Sequence, residues 1–211
     1  AEFGVRLDRE PSRCGFRFST EALSALMRED FSGSYTHPDH FFMKTGMDAT
    51  AREHAVQADA GLTMGAVTLE FGQKAQLRTL RTRFETEHEG MESSGLFRHS
   101  ERVLAGYASA HRAFGVVQLQ AGLRVEAERT RIIMDVEEEH AAVRMFPSLL
   151  LQWQHPGSDR VRYRVSWGRR LQRPTAAELN PFSMGEDDMN SFVGNPLLRP
   201  EQSDQLELGV E

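Results

Sequence analysis

Apolar and polar residues alternate along most of this chain from about residue 54 onward, the period-two signature of strands with one greasy and one polar face. Val67, Leu69, Phe71, Ala75 and Leu77 share a side opposite Thr68, Glu70, Lys74, Gln76 and Arg78. Val117, Leu119, Ala121, Leu123, Val125 and Ala127 oppose Gln118, Gln120, Arg124, Glu126 and Glu128. Leu149, Leu151 and Trp153 fall together, as do Leu206, Leu208 and Val210. The pattern is sharpest where Val161, Tyr163, Val165 and Trp167 alternate with Arg162, Arg164, Ser166, Gly168 and Arg170. It is weaker around residues 97–109, where Val103, Ala105 and Tyr107 read as the apolar side against Arg102, Gly106 and Ser109. Near the start, Phe3, Val5 and Leu7, and then Cys14, Phe16 and Phe18, repeat the alternation.

Short connections at Met64-Gly65, residues 110–113 and residues 155–159 alternate with longer polar stretches at 81–96, 131–146 and 173–203. That rhythm predicts an all-β, up-and-down antiparallel meander with its long loops at one end. Residues 20–30 are locally Ala/Leu-rich behind an N-cap candidate at Ser19 or Thr20, a helix-like signal. The neighbouring pattern favours extended structure there instead.

Alternation alone also describes an ordinary half-buried sheet. Three features point to strands that cross a membrane. Residues 67–80 and 116–128 exceed the usual ~5–6 residues of a strand and reach the ~9–11 that a tilted spanning strand needs. Aromatics (Phe114, Trp153, Tyr163, Trp167) sit near strand ends on the apolar side, where amphipathic rings favour a hydrocarbon–water boundary. Charge is sorted, with arginines on the polar faces and acid runs in the connections. This reading turns Arg124, Arg162, Arg164 and Arg170 towards an aqueous lumen and Val161, Tyr163, Val165 and Trp167 towards lipid. A closed barrel follows, because lipid leaves no solvent partner for an unpaired backbone group.

Composition fits that picture. The 211 residues are 39% hydrophobic and carry a net charge of −6, which argues against nucleic acid as the main partner. No apolar run reaches the ~20 residues of a spanning helix. One cysteine, Cys14, permits no internal disulfide and no thiolate metal site. His37 with His40, and Glu137–Glu139 with His140, are too few ligands at too loose a spacing to predict a metal. No cofactor is expected, and no nucleophile, phosphate-loop or zinc-hydrolase signature supports an enzyme. Both termini read as cut, as expected for a piece of a longer protein.

Four dipeptides, Arg173-Pro174, Asn180-Pro181, Asn195-Pro196 and Arg199-Pro200, stiffen the segment after the arginine-rich strand. Arg173, Pro174, Leu179, Asn180, Pro181 and Phe182 form one half of a motif. Gly194, Asn195, Pro196, Leu198, Pro200, Glu201, Ser203, Glu207 and Gly209 form the other. The combined spacing resembles the barrel of TonB-dependent outer-membrane receptors, specifically the outer-membrane β-barrel proteins common in Bacteroidetes-like bacteria. The likeness is strongest over residues 97–211. It implies that residues 1–211 are part of a bacterial outer-membrane barrel of ~22 strands whose plug and terminal strands lie outside this sequence. It further implies contact with outer-membrane lipid, and uptake of a scarce ligand (a siderophore, a cobalamin-like compound, a glycan or a peptide) driven by the TonB system through that plug. A plugless porin-like barrel and a soluble β-rich binding module are the alternatives; the latter predicts that the Val161 face packs on a second sheet.

Overall fold

The structure, a computed structural model, describes residues 2–9, 16–36, 42–88, 91–134, 137–157, 161–181, 184–185 and 191–211. Eight antiparallel strands follow one another along the chain: β1 (Glu2–Arg9), β2 (Phe16–Thr36), β3 (Phe42–Met64), β4 (Val67–His88), β5 (Met91–Phe114), β6 (Val117–Ile133), β7 (Glu137–Gln154) and β8 (Arg162–Gln172). A four-residue helix α1 (Ala176–Leu179) and a small ribbon of β9 (Met184–Gly185) and β10 (Ser191–Phe192) come next, before β11 (Glu201–Val210). The sheet is nine-stranded, in the order β1 to β8 and then β11, so every neighbour in sequence is a neighbour in space. This is the expected meander.

Two-residue turns close one end. Gly65 (φ 60°) and Gly115 (φ 59°) occupy the left-handed conformation that tight hairpins require and that glycine adopts without steric cost. The connection between β7 and β8 turns at Gly157 (φ 98°).

At the other end the strands outrun the alternation. The stretches 81–96 and 131–146, expected as loops, are mostly strand: β4 extends to His88, β5 starts at Met91 and β7 at Glu137. Both faces are charged there, so period two disappears from the sequence while the backbone ladder continues. Residues 20–30 are extended, within β2, and tertiary pairing with β1 and β3 overrides the local helical composition. The 110–113 stretch is strand as well, the turn falling at Gly115.

Strand β5 corrects one facing assignment. Register pairs Tyr107 with Gly72 and Arg124, and Val103 with Gln76 and Glu128. Val103, Ala105 and Tyr107 therefore share the polar face with Glu101, and Leu104 and Ala108 point the other way. Tyr107 fits because Gly72 lacks a side chain: a Cβ on Gly72 would meet the Tyr107 ring at 2.6 Å. The phenol donates to Asp59 and accepts from Gln57 Nε2 at 3.1 Å.

The ladder between β7 and β8 stops at Ser148–Gly168. The residue above is Pro147, which has no N–H to donate. Beyond it β8 continues to Gln172, paired with β11, while β7 stays paired with β6 alone. The separation leaves room for residues 173–181 and 194–200 to fold back over the polar face. Leu179 is buried there against Phe97 and Ile132, with Leu80 and Met134 packed around them.

Candidate functional site

The inward fold of that segment rests on its proline-bracketed motif. Thr175 caps α1: its Oγ1 accepts from the Glu178 N–H (3.3 Å), and Glu178 Oε2 accepts from the Thr175 N–H (2.7 Å), a reciprocal capping box. These bonds favour the ionised carboxylate and hold the Glu178 carboxyl below its usual range. The two motif halves are joined by backbone. The Gly194 N–H donates to the Asn180 carbonyl (2.8 Å), and the Asn195 N–H to that of Glu178 (2.7 Å). Asn195 then shapes a turn, its Oδ1 accepting from the Leu197 N–H at 2.9 Å. Asn180 is buried and reaches Met47 of β3. Pro181 and Glu201 flank this unit, and Glu201 opens β11 opposite Gln172.

Arg173 enters the polar face at the head of this unit. Its guanidinium meets Glu101 (2.8 Å), Glu126 (2.6 Å) and Glu128 (3.1 Å), carboxylates from β5 and β6. Burial alone would lower the Arg173 pKa; the Glu126 hydrogen bond and the charges of Glu101, Glu126 and Glu128 outweigh it and raise the value. The network continues on both sides. Arg144 of β7 holds Glu128 at 2.9 Å, and Arg124 holds Glu126 at 2.6 Å while its guanidinium lies 5.5 Å from the Tyr107 ring centre. Arg78 of β4 bridges Glu101 (3.7 Å) and Glu53 (3.3 Å). Four arginines thus neutralise four glutamates across five strands and one loop. Between this network and residues 196–200 lies an open cavity of about 330 Å³, lined by His99, Thr130, His140, Arg173 and Leu197 among others. Glu101 was not singled out by sequence. The β4–β5 register places it opposite Arg78.

Arg162, Arg164 and Arg170 share a face with Arg124 by register but lie on β8, away from the network, exposed and without an ion pair among the described residues. The opposite face carries Val161, Tyr163, Val165 and Trp167. Tyr163 stacks on Trp153 (5.1 Å between ring centres), and its hydroxyl lies 3.1 Å from His155 Nδ1. This face stays uncovered, with Leu104, Val143 and Met145 exposed at 63%, 70% and 58%. His37, His40, Cys14 and Phe182 lie outside the described residues. Among the described residues no three His, Cys, Asp or Glu side chains gather as a metal-binding set.

A family model described as outer membrane protein beta-barrel family matches residues 16–211. Among solved structures, the copper transporter OprC superimposes with a TM-score of 0.76 at 13% identity, over 99% of this chain and 35% of that one. The ferripyoverdine receptor of the outer membrane of Pseudomonas aeruginosa gives 0.71 at 12% identity, over 99% and 30%. The ferric yersiniabactin uptake receptor FyuA from Yersinia pestis gives 0.61 at 15% identity, over 92% and 30%. The chain thus spans about a third of the length of these structures. No curated protein sequence matches it.

Proposed function

The chain belongs to the outer membrane protein beta-barrel family and is a protein of the bacterial outer membrane, and from that premise we propose that it forms part of the wall of a TonB-dependent receptor that imports a scarce ligand. The polar face lines an enclosed aqueous interior, and the apolar face meets hydrocarbon. The observation that carries this reading is the contrast in covering. Residues 173–181 and 194–200 fold onto the polar face and bring a cation into its carboxylates, whereas large apolar side chains on the other face are left bare. In water such a surface is an aggregation liability; in a bilayer it is at home. Its height fits. Val117 to Ala127 on β6 is ten residue steps, and at about 3.4 Å per step and about 40° tilt that spans about 26 Å, close to the ~25 Å apolar band of outer-membrane barrels.

The receptor reading is preferred to a passive porin because solved structures that superimpose on the chain are a transporter and uptake receptors. Arg162, Arg164 and Arg170 share the interior face with Glu201, Glu207 and Glu211, a wall of both charge signs that suits a polar plug or a polar ligand. A soluble module fits poorly, since no second layer covers the Val161 face among the described residues. The ligand class stays as broad as the motif implies: a siderophore, a cobalamin-like compound, a glycan or a peptide. No catalytic step is part of this reading. The test uses the full-length protein. Growth on a limiting ligand should require both this protein and an intact TonB system, and liposomes carrying the protein should not swell in small sugars. Free sugar permeation, with growth indifferent to TonB, would replace the receptor with a porin.

A further inference from the structure

The apolar face ends abruptly at a row of arginines. On β4, β5 and β6 the continuous apolar run stops at Leu77, Leu104 and Ala127; above it the same face carries Arg81, Arg98, Arg102, Arg129 and Arg131, with Leu96 and Ile133 the apolar residues beyond them on β5 and β6. Register sets like charges opposite each other: Arg81 faces Arg98, and Arg102 faces Arg129. Such pairs destabilise a sheet unless something anionic lies between them. The intervening rung holds Thr79 opposite Ser100, two short hydroxyl side chains that leave a groove of about 330 Å³ bordered by the arginines. Glutamates of β7 answer only part of the charge. Glu139 pairs with Arg129, and Glu137 grips Arg131 at 2.8 and 2.9 Å. Five arginines against two glutamates leave three positive charges, and Arg81, Arg98 and Arg102 are exposed without an ion pair among the described residues.

We propose that this rung is a binding site for a phosphate-bearing lipid of the outer leaflet, such as lipopolysaccharide. Its acyl chains would lie on the Leu77–Leu104–Ala127 face, and its phosphate would sit between the Arg81–Arg98 and Arg102–Arg129 pairs. Guanidinium forks match phosphate oxygens bidentately, and the Thr79 and Ser100 hydroxyls supply further donors at the floor. An amphiphile satisfies both halves of the surface; free phosphate satisfies only the upper one. The inference rests on the apolar face being the lipid face.

The test is native mass spectrometry of the full-length protein extracted from outer membranes in mild detergent, counting retained phosphorylated lipid. Wild type should keep it, Arg98→Gln/Arg102→Gln should lose about tenfold or more in occupancy, and Arg98→Lys/Arg102→Lys should recover part of the loss. Enzymatically dephosphorylated lipid should not rebind, and added inorganic phosphate should not displace the intact lipid. Equal retention by wild type and the Gln variant, or displacement by phosphate alone, would overturn the site. Quenching of Trp167 by brominated lipid, in a full-length background where Trp153 and every tryptophan other than Trp167 are replaced by Phe, checks the lipid face separately: quenching with equal retention defeats only the site, and no quenching defeats the lipid face beneath it.

Discussion

Two arginine clusters occupy opposite faces of the same strands, and they differ in how their charge is answered. Glu101 and Arg102 are adjacent in sequence, as are Glu128 and Arg129, yet the pleat sends each pair to opposite sides. On the polar face Arg78, Arg124, Arg144 and Arg173 meet four glutamates in a closed network. On the apolar face the arginines outnumber their glutamates and face one another. A balanced cluster is a structural joint, and it fastens the inward loop to the wall. An unbalanced one is a surface that awaits a partner. Charge count within a cluster, rather than the presence of arginine, separates the two roles.

The comparison breaks most severely at Arg173. Arg173→Ala strands Glu101, Glu126 and Glu128 without their shared cation; removing one partner of such a group costs about 3 kcal/mol. Urea unfolding from micelles should show that loss, and Arg173→Lys should restore only part of it because an ammonium cannot fork to three carboxylates. A smaller effect is expected at Gly72→Ala, where the new Cβ collides with the Tyr107 ring and Asp59. Overpacking of this kind costs about 1–3 kcal/mol, and Tyr107→Ala in the same chain should relieve part of it. On the opposite face Arg98→Gln/Arg102→Gln should leave unfolding in lipid-free detergent within about 0.5 kcal/mol of wild type, since it removes charges that repel each other. A stability loss as large as that of Arg173→Ala would erase the distinction between the clusters. The smallest effect belongs to Glu178. Its depressed pKa means that the cap contributes above the usual carboxylate range and fades as pH falls through the folded-state value. Limited proteolysis of the 173–200 segment should therefore speed up on acidification in wild type, whereas Glu178→Gln should show little pH dependence.

Much of the wall was legible because one face is apolar over a long run. β4, β6 and β8 could be assigned to faces residue by residue, and the meander followed from turn spacing. Legibility failed where both faces are charged, as at residues 81–88 and 137–140, since alternation needs contrast. It failed at β5 because Val103 and Ala105 fill space between charged side chains on the polar face, and only the Tyr107–Gly72 register reveals this. Arg173 was visible as a motif residue, but its work could not be read locally: Glu126 and Glu128 lie 47 and 45 residues away in sequence. The outer arginine cluster left a trace as well, since Arg81, Arg98, Arg102, Arg129 and Arg131 all stand in the sequence, but their opposition depends on register across two hairpins.

The central claim is that the two faces of β8 meet different solvents, and paired cysteine labelling reads this most directly. In full-length protein cleared of its other cysteines, Cys14→Ser among them, and embedded in outer membranes, Val165→Cys and Arg164→Cys are each treated with a membrane-impermeant maleimide small enough to enter the barrel. The account predicts modification at position 164 and protection at position 165, with position 165 becoming reactive towards a lipid-soluble reagent. Equal aqueous labelling of both positions, or protection of 164 with labelling of 165, would contradict it.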